Sequence, residues 1–115
     1  AQIYTLGKSW VVKAHQLAYI KPAVLNEEII IISQLTEFST STLGVEMRMF
    51  NKTKTVLKAV LWTTLAYFDI KNKTKAEHSS ELISLFEKVL NPIDNYSFEN
   101  RCSQLIIRKK SINEL

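Results

Sequence analysis

The chain reads as four β-rich reaches separated by short polar breaks, followed by one reach of helical period. Residues 10 to 20 hold Trp10, Val11, Val12, Leu17, Tyr19 and Ile20 and end at Lys21-Pro22, where proline cannot continue a sheet ladder, so they predict a first strand. The polar corner Asn26-Glu27-Glu28 then leads into Ile29 to Ile32, a β-branched block that runs on to Phe38 and is too short to argue helix. After the break Ser39-Thr40-Ser41-Thr42, Leu43, Val45, Met47 and Met49 alternate with Gly44, Glu46, Arg48 and Phe50, the period of a third strand. The compact polar turn Asn51 to Lys54 predicts an antiparallel hairpin into a fourth strand, without an Asn-Gly pair to fix the turn type.

That fourth strand, Thr55 to Asp69, is apolar on both parities: Leu57, Ala59, Leu61, Leu65 and Tyr67 on one side, Val56, Val60, Trp62, Ala66 and Phe68 on the other. It therefore calls for cover on both faces, and its reach of about 50 Å at ~3.3 Å per residue predicts a strongly bent sheet that wraps something. Beyond a lysine-rich turn, Glu77 to Leu90 carries Leu82, Phe86 and Val89 at helical spacing, with Ile83, Leu85 and Leu90 widening the stripe, and Asn91-Pro92 ends it. Thr74 with Glu77 forms one candidate capping box; Ser79 is a rival start. In the tail, Phe98, Cys102, Leu105 and Ile106 suit a second short helix.

A length of 115 residues fits one domain with one core. The excess of fifteen Lys and Arg over eleven Asp and Glu is small for a nucleic-acid binder, and no basic stripe interleaved with aromatics is visible. Lys52, Lys54 and Lys58, and again Lys71, Lys73 and Lys75, read as solvated turns. The single Cys102 rules out an intramolecular disulfide and fits a reducing compartment, so a cytoplasmic location is expected. No run approaches the ~20 apolar residues of a membrane span.

Self-contained catalytic signatures are missing: no Gly-rich phosphate loop, no metal-ligand spacing and no nucleophile elbow, so no metal and no cofactor are expected. His15 and His78 both suit structural or exposed roles better than general-base duty. Among the carboxylates, Glu46 and Glu37 point from strands, Glu27 and Glu28 sit in a corner and Asp69 ends the long strand. His15, Glu46 and Asp69 stay as the candidates for catalytic work. Trp10 and Trp62 read first as core.

The stretch "WVVKAHQLAYIKPAVLNEEIII" resembles the hotdog-fold thioesterases, in particular the branch of 4-hydroxybenzoyl-CoA and acyl-ACP thioesterases: a strand, Tyr-x-x-Pro-Ala, a short loop and an acidic corner opening the next strand. The likeness continues through "STSTLGVEMRMFN", the polar turn, "TVLKAVLWTTLAYFD" and a following helix, over about residues 8 to 90. It implies an α+β fold, a strongly curved antiparallel sheet with a C-terminal helix, occupying residues 1–92, with 93–115 as an extension. It further implies hydrolysis of acyl-CoA or acyl-carrier-protein thioesters by a homodimer or homotetramer. In the family, a first strand and a central helix precede the matching stretch and carry a catalytic carboxylate and oxyanion-stabilising amides. Residues 1 to 9, "AQIYTLGKS", are too few for both, so the central helix is not visible here. Either the chain is a fragment without its catalytic segment, the favoured expectation, or it is a reduced relative whose groove is filled by another copy or segment.

Carried over by residue, the resemblance sets Trp10, Val11 and Val12 at the border of an acyl tunnel. Lys71, Lys73 and Lys75 become contacts for the phosphoadenosine end of CoA, whereas Ser39 to Thr42 offers only hydroxyls where some relatives hold the nucleotide with Arg or Lys. Two other readings remain: a non-catalytic acyl-binding or oligomerisation module, and a hotdog dehydratase recruiting His15.

Overall fold

The computed structural model describes residues 7–93 and 97–114, with side chains in the last helix as far as Ile106. Residues 1–6, 94–96 and 115, parts of the expected N-terminal reach and C-terminal extension, lie outside the described residues. Among these residues the order is β1 (Lys8–Tyr19), β2 (Ile29–Phe38), β3 (Thr42–Asn51), β4 (Leu57–Asp69), β5 (Thr74–Lys75), α1 (Ser80–Val89) and α2 (Phe98–Glu114). The class is α+β. The strands form one sheet in the order β1-β4-β3-β2, and β5 pairs antiparallel with β4 through Phe68 opposite Lys75 and Asp69 opposite Thr74. No helix among the described residues is long and apolar enough to cross a membrane.

The chain divides into two compact units. The first takes in the described part of Ala1–His15 with Gln34–Val45 and Thr63–Pro92. Its interior is aromatic: by ring centroid Trp10 of β1 lies 4.9 Å from Tyr67 of β4, 5.9 Å from His78 and 6.4 Å from Phe86 of α1, His78 lies 5.0 Å from Tyr67 and 4.9 Å from Phe86, and Phe38 of β2 stands 5.7 Å from Phe86. Helix α1 starts at the rival site, because the Ser79 hydroxyl accepts from the Leu82 amide at 3.2 Å. Thr74 instead joins β5, so the Thr74–Glu77 capping box does not form. The expected stripe on this helix is narrower than its sequence suggests. Phe86 is buried, Leu82 and Ile83 are half-buried, and Leu85, Val89 and Leu90 are exposed. The helix stops as the Asn91 amide and side chain turn to the Leu35 carbonyl and to Gln34.

The second unit takes in Gln16–Ser33, Glu46–Trp62 and the described part of Ile93–Leu115. Phe98, Cys102 and Leu105 recur at one-turn spacing on α2 and pack with Phe50, Leu57 and Val60 as its core, joined at the edge by Ile32, Trp62 and Ile106. Ser97 caps this helix by accepting from the Asn100 amide at 3.1 Å. With only two glycines in the chain, tight turns recruit other residues. The β3–β4 turn is organised by Asn51, whose side-chain carbonyl accepts from the Thr55 and Val56 amides at 2.9 Å each, and it puts Lys54 at a φ of 60°. Asn26 and Lys73 take the same left-handed conformation in their turns, at φ 65° and 56°.

Candidate functional site

The second unit carries a groove that nothing among the described residues fills. One cavity of about 190 Å³ is lined by Leu17 and Tyr19 of β1, Ile31 of β2, Met47 and Met49 of β3, and Ala59 and Leu61 of β4. A second, of about 460 Å³, shares Tyr19 and Met49 and continues along Ile20, Lys21, Pro22 and Ala23. Strand alternation builds this surface, since its lining residues on all four strands are odd-numbered and turn to one face. The β1–β2 connection beside it is held firmly. Lys58 Nζ reaches the Glu27 carboxylate at 2.7 Å and donates to the Pro22 carbonyl at 2.9 Å, and the Ile20 and Lys21 amides both donate to the Lys58 carbonyl. The Lys58 bond and the Val24 amide hold the Glu27 carboxyl below the usual range. At the loop's tip Leu25 is 91% exposed.

Of the catalytic candidates, Glu46 is the most altered by the fold. It has no exposed surface. Arg101 of α2 grips it with Nε at 2.7 Å and Nη2 at 2.8 Å, and Trp62 Nε1 donates to it at 2.8 Å. Burial works against its charge, but the bonds from Arg101 and Trp62 and the charges of Arg101 and Arg48 outweigh burial and hold the carboxyl below the ordinary glutamate range. Both oxygens of this carboxylate are thus committed to bonds within the fold. The arrangement joins α2 to β3 and β4.

Asp69 closes the turn after β4: its two oxygens accept from the Asn72 amide at 3.0 Å and from the Asn72 side chain at 2.9 Å. Those bonds, with the charge of Lys8 adding to them, hold its carboxyl down as well. His15 is exposed on β1, as are Val11 and Val12. Trp10 is half-buried, with its indole N–H donated to His78 Nε2 at 3.0 Å. Lys71 and Lys73 are exposed in the turn before β5, and Lys75 is exposed on it. These residues all fall in the first unit with Asp69, whereas Glu46 and the groove belong to the second. The groove lining and Arg101 were not among the sequence candidates. The alternation Met47/Met49 and Ala59/Leu61 signals the groove face; no local signal marks Arg101, which meets Glu46 across 55 positions.

No family model matches the chain, and no curated protein matches it. Solved structures do. A probable thioesterase, YbaW of Escherichia coli, superposes with a TM-score of 0.66 at 20% identity, over 78% of this chain and 68% of that one. A DHNA-CoA thioesterase of Staphylococcus aureus gives 0.70 at 14%, over 76% and 60%. A hypothetical protein from Staphylococcus aureus, solved in complex with CoA, gives 0.69 at 9%, over 84% and 62%. The fold is accordingly the thioesterase-like hotdog, with its curved, mostly antiparallel sheet. The chain spans 68%, 60% and 62% of the length of these three structures.

Proposed function

We propose that this chain is the acyl-binding scaffold of a thioester hydrolase that acts on acyl-CoA or on acyl-carrier-protein. The observation that carries the reading is the fold, held in common with thioesterases and with a protein solved with CoA. The groove of the second unit supports it: an acyl chain laid against Leu17, Ile31, Met47, Met49 and Leu61 leaves water for an apolar wall, at roughly 0.8 kcal/mol per buried methylene. Methionines suit such a wall because their unbranched side chains adapt to chain length. Trp10, Val11 and Val12 keep the proposed role of a tunnel border, and Lys71, Lys73 and Lys75 the proposed role of phosphate contacts. The assembly proposed is a homodimer or homotetramer, consistent with exposed Val12, Tyr19, Leu25 and Ile31.

One observation favours a second reading, an acyl-binding module without chemistry: Glu46 is fully engaged in an ion pair and Asp69 in its turn. Free-thiol release from short, long and aromatic acyl-CoAs and from acyl-carrier-protein separates the two. Release supports the hydrolase, acyl-dependent binding without release supports the module, and neither binding nor release on any substrate overturns both.

A further inference from the structure

The first unit contains a histidine whose two ring nitrogens are committed in opposite senses. His78 is 8% exposed. The Trp10 indole N–H can only donate, so His78 Nε2, 3.0 Å away, accepts and carries no proton. The Ser39 carbonyl can only accept, so Nδ1, 2.9 Å away, carries the proton and donates. The partners thus fix one neutral tautomer. The backbone amide of the same residue donates to the Thr40 carbonyl at 2.6 Å, so His78 ties the Ser39–Thr42 corner, the N-terminal end of α1 and β1 together.

We propose that His78 is an acid-operated latch, whose second protonation releases Trp10 while the bonds to the Ser39–Thr42 corner remain. A proton added at Nε2 would face the indole N–H, donor against donor, and that contact must open. The two bonds to the corner need no change, because Nδ1 and the amide are donors in either state. The cation formed is not left among purely aliphatic groups: Tyr67 lies 5.0 Å away at 30° between ring planes, and Phe86 borders it at 4.9 Å. Aromatic rings attract a cation, so Tyr67 and Phe86 are the partners proposed for the imidazolium.

Trp10 faces His78 from β1, Tyr67 from β4, Phe86 from α1, and the Ser39 and Thr40 carbonyls from the β2–β3 corner. Of these only Tyr67 has a titratable group, a phenol that gains no proton in acid. Among the described residues no carboxylate forms an ion pair with His78, and its chain neighbour Glu77 is exposed.

The test is to follow the Trp indole and His ring resonances by ¹⁵N-edited NMR on the full chain as the pH is lowered from about 8 to about 5, the range in which histidine ordinarily changes charge. The Trp10 indole proton should lose its hydrogen-bonded shift in step with the His78 ring, reversibly, while the Trp62 indole, bonded to Glu46, stays unchanged as an internal reference. The step should survive in His15→Gln and vanish in His78→Gln, whose side chain cannot titrate. The proposal is overturned by a Trp10 resonance that stays fixed while His78 titrates, by a His78 ring that takes no proton until the chain unfolds, or by a step that persists in His78→Gln. If His78→Gln does not fold, the wild type and His15→Gln still decide.

Discussion

A carboxylate with no exposed surface has to be matched by its surroundings, and Glu46 is matched by Arg101, Trp62 and the nearby Arg48. Removing one partner strands the other. Glu46→Gln or Arg101→Met should therefore each lower unfolding free energy by about 3 to 5 kcal/mol, measured by urea denaturation, while Glu46→Leu combined with Arg101→Met should recover most of that loss. A double variant as unstable as the sum of the singles would contradict the pairing. The pH dependence has a defined sign. Because the folded-state carboxyl is held below its unfolded value of about 4.3, its contribution is complete above that pH and disappears as pH falls through the folded value. Arg101→Met should blunt this acid-induced loss. Lys54 offers a test of opposite sign: its φ of 60° costs a side-chain-bearing residue about 1 to 2 kcal/mol, so Lys54→Gly should raise stability by up to about 1 kcal/mol after glycine's own entropy is subtracted.

Among the elements, α2 contributes most to the second unit's core, through Phe98, Cys102 and Leu105. Burial, with the Glu46 charge adding to it, pushes the Cys102 thiol up and keeps it protonated, so alkylation of the folded chain should be slow and should accelerate sharply in Phe98→Ala, a change expected to cost about 3 to 5 kcal/mol. Equal alkylation rates in the two proteins would mean that α2 is not docked as described. In α1, Ser79→Ala should cost about 1 kcal/mol and Thr74→Ala should have no capping effect. The four long strands were legible in the chain because each is bounded by a polar corner that stops a ladder, and α2 because Phe98, Cys102 and Leu105 keep a helical period. The start of α1 was legible only as two rivals, since Thr74 and Ser79 both suit a cap, and pairing of Thr74 with Asp69 in β5 decides between them. Leu85, Val89 and Leu90 mislead because an apolar stripe records what a helix can bury, whereas the fold buries Phe86, half-buries Leu82 and Ile83 and leaves these three exposed.

For the molecule as a whole, fold and function are legible to different depths. Strand order and period carry the hotdog arrangement even at 9 to 20% identity to known structures. The catalytic candidates were not resolved by sequence, because burial and pairing decide whether a carboxylate can act, and for Glu46 both depend on an arginine far along the chain. The proposed acyl-binding role rests on the fold and on the groove of Leu17, Tyr19, Ile31, Met47, Met49, Ala59 and Leu61. It is tested most directly by calorimetric titration of the chain with non-hydrolysable acyl-CoA thioethers of increasing length, beside CoA alone. Affinity should rise with chain length, by up to about tenfold for each two methylenes until the groove is filled, and the rise should flatten in Met49→Asn. Binding no tighter than that of CoA at every length would contradict the account.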